Sequence, residues 1–275
     1  MAPLPTVARR VLAIVGDPEY KIDSLVHIVR TDPALTGRIL KLTGSALFAL
    51  ENEITSVGQA VVFIGTRNLV KLVMLSCSEG SFASVKRSPL MDPRAIWRHS
   101  IACAAGSQWL ALRCGGVSPD TAFTAGVLHD VGKIAMSQIL DEDTDAAPPA
   151  SEGALRDHTQ FERGLFGMDH AEAAGVVASA WRLPAELATA MRSHHDASVL
   201  GGPSPLPAIL NVADTLALGM GLGNPFPDLR LEIVPEALGR LRLDAAEVSE
   251  AFRDHVNAEL EQWSELLNTE AAAGR

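Results

Sequence analysis

The chain has 275 residues, enough for one large domain or two modest ones with a real apolar core. Its 47% apolar and 20% charged residues are ordinary for a globular protein, and the excess of Ala, Leu and Val over aromatics favours helix. A net charge of −10 speaks against nucleic acid as a default partner, because an acidic chain repels phosphate.

The charge is uneven. Residues 1–89 hold 10 Lys/Arg against 7 Asp/Glu, whereas residues 90–275 hold 13 against 26. Arg67, Lys71, Lys86 and Arg87 could form a basic patch on the first part, but a solvated face is the simpler reading. Cys77, Cys103 and Cys114 are odd in number and lie far apart, which suits a reducing compartment and a cytoplasmic location. The longest apolar run, Leu69–Cys77, is interrupted by Lys71 and falls short of the roughly 20 residues of a membrane span, so no membrane association is expected.

In chain order, Asp32-Pro33 opens an apolar-periodic stretch through Leu35, Ile39 and Leu40. Val61–Ile64 has the composition of a short buried strand, but Ser56 and Gln59 ahead of it fit a helix start better. The stretch Ser81–Asp92 carries Lys86, Arg87 and Pro89, and is the expected boundary between an N-terminal helical lobe, residues 1–89, and a second helical lobe, residues 90–275. Asp92-Pro93 and Ser118-Pro119 each place a capping side chain ahead of a proline at the first helical position. Asp141–Glu152 and Asp196–Pro207 read as surface loops from their Pro and Gly content. Asp244 and Glu247 resemble a capping box before a last helix over about 245–267. No segment needs a strand, and the expected fold class is all-α.

Six of the eight histidines fall between residues 99 and 195. His129 and Asp130 are adjacent, and His99, His170, His194, His195 and Asp214 lie on segments that read as helical. Ligands on rigid helices can converge on one ion inside a bundle. Imidazole suits Zn, Fe, Mn and Ni, and a carboxylate can bridge two ions. A His-Asp pair fits best at a helix end, and Gly132 could cap that end. Asp214 sits in an otherwise apolar helix, where a buried carboxylate needs a partner. Taken singly, each histidine has a plainer reading as a surface or hydrogen-bonded core residue, and His194-His195 could simply be a polar helix end. His27, His158 and His255 are not assigned to the set.

The succession His99, His129-Asp130 and Asp214 resembles the signature of the HD superfamily of metal-dependent phosphohydrolases. With His170 and His194-His195 added, the set resembles the two-metal HD-GYP branch, as does the lysine in His129-Asp130-Val131-Gly132-Lys133. The N-terminal part is more specific. Leu4-Pro5, Asp32-Pro33-Ala34-Leu35-Thr36-Gly37-Arg38-Ile39-Leu40, Ser45-Ala46, Ile54-Thr55-Ser56-Val57-Gly58-Gln59-Ala60 and Ile64-Gly65 resemble the HDOD family, to about residue 200. Gly44 departs from the usual pattern, in which Asn precedes the Ser-Ala.

The resemblance implies a multi-helical HD-domain-like bundle with an N-terminal helical lobe, in a family of bacterial signalling modules many of whose members have lost the metal ligands. It implies metal ligation by His99, His129, Asp130, His170, His194, His195 and Asp214, with one or two divalent ions of Fe, Mn, Zn or Ni. A metal pair would polarise a phosphate oxygen and bring its bound water towards a pKa of ~7. Asp130 and Lys133 are the expected catalytic residues, Lys133 holding phosphate as a point charge. No Gly-Tyr-Pro follows His194-His195-Asp196, which counts against cyclic di-GMP as substrate, and Ala95 stands where some three-metal relatives place a Glu. Two functions follow: a signalling output module that works through protein partners, and a metal-dependent phosphohydrolase acting on a nucleotide or phosphodiester.

Overall fold

The computed structural model describes residues 6–15, 21–43, 54–82, 92–139, 158–223 and 233–262. All regular structure among them is helical, as the composition leads one to expect. The expected loop at 141–152, most of the 81–92 boundary and the end of the last helix beyond Gln262 lie outside the described residues. Contacts divide the chain into two compact units, one comprising Pro3–Glu79 and the other Gly80–Val256, with the chain ends shared between them.

In the first unit, α1 (Thr6–Val15) packs on α2 (Ile22–Arg30), and α2 on α3 (Pro33–Thr43). Their inward faces are the apolar positions Val7, Val11, Leu25, Ile28, Val29, Leu35 and Ile39. Asp32 caps α3 as expected, its Oδ1 accepting from the Leu35 N–H at 3.0 Å. Val61–Ile64 lies within α4 (Val57–Phe82) and is helical. A reciprocal cap starts this helix: Ser56 Oγ accepts from the Gln59 N–H, and Gln59 Oε1 accepts from the Thr55 N–H. Gly65, at φ 77° and ψ 159°, breaks α4 into two helices, in a conformation that only glycine adopts freely. Over Val57–Leu75, with mean hydropathy 1.3, α4 is long and apolar enough to cross a membrane, contrary to the expectation that no segment would be. More than half of that stretch is buried, as a core helix would be.

The second unit is built on α5 (Pro93–Cys114), which packs along α6 (Pro119–Leu128) and α12 (Leu206–Gly219). Small residues permit the close approach. A side chain at Gly126 of α6 would strike the backbone of Ala104, and one at Gly106 would strike Phe252 of α14 (Ala245–Gln262). Asp92 caps α5 through the Arg94 N–H, whereas Ser118 makes no side-chain cap on α6 and Pro119 alone marks its start. A second group consists of α7 (Val131–Ser137), α9 (His170–Ala180) and α10 (Ala185–Ser193), with α9 packed on both others. Between α8 (His158–Phe166) and α9, Asp169 and Glu172 form a complete capping box. The segment 196–207 is not simply a loop: Asp196 caps a short helix, α11 (Ala197–Leu200), before α12 begins. Helix α13 (Pro235–Leu241) leads to α14, where Asp244 accepts from the Ala246 and Glu247 N–H groups. The Glu247 carboxylate reaches Arg113 instead of completing the box.

Candidate metal centre

Every residue of the expected ligand set lies in the second unit, and the structure brings them together. His99 comes from the first half of α5, Asp214 from the middle of α12 and His170 from the first position of α9. The remaining four are not within helices. His129 and Asp130 form the turn between α6 and α7, and His194 and His195 form the turn after α10. Gly132 does not cap a helix. It lies inside α7, where an added Cβ would collide with the His170 carbonyl and the Ala174 N–H, so its lack of a side chain lets α7 and α9 touch behind the site.

Four imidazoles are oriented alike. The Nδ1 of His99 faces the Leu222 carbonyl at 3.1 Å, that of His129 the Gly126 carbonyl at 2.8 Å, and that of His194 the Met191 carbonyl at 2.8 Å. The Nδ1 of His170 faces the Glu162 carboxylate at 2.6 Å. Each acceptor fixes the proton on Nδ1 and leaves the Nε2 lone pair pointing away, which is how backing groups prepare histidine ligands. The Nε2 atoms of His99, His129, His170 and His195 face two carboxylates. Asp214 Oδ1 lies 2.9 Å from His99 Nε2 and 3.7 Å from His129 Nε2, while its Oδ2 lies 3.5 Å from His195 Nε2. Asp130 Oδ2 is 3.6 Å from both His99 and His129, and its Oδ1 is 3.5 Å from His170. Each carboxylate therefore spans two groups of histidines.

Burial is nearly complete, with His129 and His194 at 0% exposure and His99, Asp130 and His170 at 1%. Of the expected set, only the side chains of His195, at 17%, and Lys133, at 14%, reach the surface appreciably. Burial would push the Asp130 carboxyl up, but Lys133, His129, His170 and His99 together hold it well below the usual carboxylate range. Asp214 is likewise held low against burial by the imidazoles of His129, His99 and His195 around it. Burial pushes His194 down to about 3 and His195 well below its ordinary value, so both imidazoles are neutral. For His99, burial is outweighed by Cys103 and Asp214, and its pKa is held up at about 9.

Lys133 was expected to face a phosphate. Its ammonium instead pairs with Asp130 Oδ2 at 2.8 Å. Three residues outside the expected set join the site. Glu162 accepts from both the ring and the backbone N–H of His170, and His158, which the sequence left outside the set, stacks on His170 with 5.2 Å between ring centroids. Their spacing of four on α8 puts both on one face. Cys103, one helical turn after His99, places its Sγ 3.4 Å from His99 Nε2. His255, by contrast, stacks on Trp109, and His27 is exposed on α2.

The donor set fits a cation. Among the described residues, the buried atoms His129 Nε2, His194 Nε2 and Asp130 Oδ1 have no hydrogen-bond partner. A buried polar atom left unsatisfied costs about 1–3 kcal/mol, and a metal ion is the partner that lone pairs converging beside two carboxylates can share. Within the site, His99/Cys103/His129/Asp214, His129/Asp130/His194, His194/His195/Asp214 and His158/His170/His195 each offer ligand atoms within 4.8 Å of one another.

An all-helical bundle enclosing an HD-type cluster of histidines and aspartates defines the class of this protein. The chain belongs to the HDOD family, whose domain model matches residues 1–197. It is similar to an uncharacterized protein of Treponema pallidum, 24% identical over 199 residues, which cover 70% of this chain and 37% of that one. The chain thus spans little more than a third of that relative's length. Among solved structures it resembles an HDOD domain protein of unknown function from Geobacter sulfurreducens (TM-score 0.73, 22% identity, 98% of this chain and 93% of that one). It also resembles a candidate phosphohydrolase from Shewanella amazonensis (0.68, 24%, 95% and 91%). A candidate signal transduction protein from Marinobacter aquaeolei is similar over 96% of this chain and 60% of its own (0.75, 22%). At these identities the likeness is one of fold.

Proposed function

We propose that this HDOD chain is a cytoplasmic signalling output module that holds one or two divalent transition-metal ions, drawn from Fe, Mn, Zn and Ni, and acts through protein partners. The observation that carries the metal reading is the common orientation of His99, His129, His170 and His194, each with Nδ1 backed by an acceptor, the Nε2 atoms of the first three facing Asp130 or Asp214 and that of His194 buried without a partner. A site that had become mere packing would have no need of four backed imidazoles and two orphaned Nε2 atoms. His99, His129 and Asp214 would hold the first ion, and His170, His194 and His195 the second, with the unpaired Asp130 Oδ1 on the side of the second. Lys133 keeps Asp130 ionised and aimed. The near-complete enclosure favours an ion that stabilises or reports over one that turns over a large substrate.

A second reading has one observation in its favour. Lys133 and His195 are the partly open members of the expected set, and a phosphoryl group could meet the cluster where they reach the surface. A bound ion would supply Lewis acidity towards that group. The substrate class would be a nucleotide or a phosphodiester. Cyclic di-GMP is disfavoured, because Ala197–Leu200 follows the His-His-Asp where Gly-Tyr-Pro would stand.

The test is elemental analysis of protein purified without chelator or affinity histidines, beside a His129→Ala/Asp130→Ala variant, followed by a phosphoester screen. One to two equivalents in the native protein, none in the variant and no turnover support the module. Turnover abolished by Asp130→Ala establishes the enzyme. Protein that stays empty after reconstitution overturns both.

A further inference from the structure

We infer that Cys103 is a thiolate ligand that completes a closed, four-coordinate, zinc-selective set with His99, His129 and Asp214. This inference rests on the metal reading above and deepens it. Cys103 is fully buried on α5, one turn after His99, so both side chains leave the same helix face. Its Sγ is 3.4 Å from His99 Nε2, which lies 2.9 Å from Asp214 Oδ1, which in turn lies 3.7 Å from His129 Nε2. The four ligand atoms lie within 4.8 Å of one another. A tetrahedral ion with bonds of about 2.0–2.3 Å requires ligand atoms about 3.3–3.8 Å apart, and the separations here bracket that edge.

A buried cysteine alone would be ordinary core. The independent sign is His129, whose Nε2 is fully buried, without a hydrogen-bond partner, and part of the same set. The competing fourth ligand, Asp130 Oδ2, is 3.6 Å from both histidines and is engaged at 2.8 Å by the Lys133 ammonium, which weakens it as a donor. Two imidazoles, a thiolate and one carboxylate form a borderline-soft set that favours Zn over Mn or Mg. Four protein ligands also leave no open position at this ion, the arrangement of structural zinc and not of catalytic zinc.

The experiment loads the full chain with Zn(II) alone and with Co(II) alone. It reads zinc-edge X-ray absorption and the near-ultraviolet thiolate-to-cobalt charge-transfer band, in the native protein and in Cys103→Ser. The expected result is one sulfur at about 2.3 Å from zinc and a charge-transfer band, both lost in Cys103→Ser. Zinc affinity should fall at least as far as the ~10–100-fold loss typical of removing a backing group. The native spectra decide the matter even if the variant fails to fold. Metal bound with only nitrogen and oxygen neighbours overturns the thiolate ligand and leaves the metal centre standing. No metal bound by the native chain overturns both.

Discussion

Glu162 Oε2 accepts two hydrogen bonds from a single residue, one from the His170 ring Nδ1 at 2.6 Å and one from the His170 backbone N–H at 2.8 Å. The carboxylate therefore fixes the ring's tautomer and satisfies a free N–H at the start of α9 at once. Replacing Glu162 by Ala leaves both donors buried and unpaired. The variant should lose about 1–3 kcal/mol of stability and about 10–100-fold in metal affinity, read by chemical denaturation and by chelator competition. Glu162→Gln, which keeps an acceptor oxygen, should recover much of the affinity.

Gly132 and Gly164 give opposite expectations for the same change. A methyl group at Gly132 meets the His170 carbonyl and the Ala174 N–H, while one at Gly164, exposed on α8, meets nothing within 4 Å. Gly132→Ala should destabilise by about 1–3 kcal/mol or more, because backbone cannot yield as a side chain can. Gly164→Ala should stabilise slightly, by up to about 1 kcal/mol, as alanine does in an exposed helix. Melting temperatures of the two variants beside the native protein check both signs.

Acidity should act on the metal-free protein from both sides of neutrality. Burial is outweighed at Glu162 by His170, which holds its carboxyl at about 2, so the stability it confers is present above its unfolded value and is lost as pH falls towards 2. His194, pushed by burial to about 3, stays neutral in the fold while the unfolded chain takes up a proton below about 6.5, which again removes stability on acidification. His99, held up at about 9, works in the other direction, its contribution being lost as pH rises towards 9. Stability should therefore peak near pH 6–7. Metal affinity should rise with pH up to about 9, as the proton on His99 is displaced. Denaturation and isothermal titration across pH 4–10 test the two trends.

Chelation should lower the melting temperature of the native protein and leave His129→Ala/Asp130→Ala unchanged. An ion present at a hundred times its dissociation constant adds about 2.7 kcal/mol. In a chain of this size that corresponds to roughly 5–10 °C. Equal shifts in the two proteins would place the metal elsewhere.

What the sequence disclosed follows from where its signals reside. The proline-marked starts of α3, α5 and α6 are local, and they were legible because capping depends on neighbours in the chain. The cluster of histidines and aspartates was legible because a His-Asp pair and an Asp in an apolar helix are chemically conspicuous. Glu162 was not, because a glutamate beside Arg163 looks like a solvated face until α8 is placed against α9. Cys103 reads as core in the run Ile101-Ala102-Cys103-Ala104, and only tertiary structure turns it towards His99. The role of Gly132 depends wholly on a neighbouring helix, and the four residues of α11 are too few for any periodicity to reveal them.

His129, Asp130, His170 and His194 all sit where one helix stops or another starts, not along a helix flank. An ion held by such residues works as a knot that ties the ends of α6, α7, α9 and α10 to one point, while His99 and Asp214 anchor that knot to the longer shafts of α5 and α12. Loading or emptying the knot bears on the angles at which the shorter helices leave it, so the occupancy of a nearly enclosed site can be felt on the outer faces of those helices.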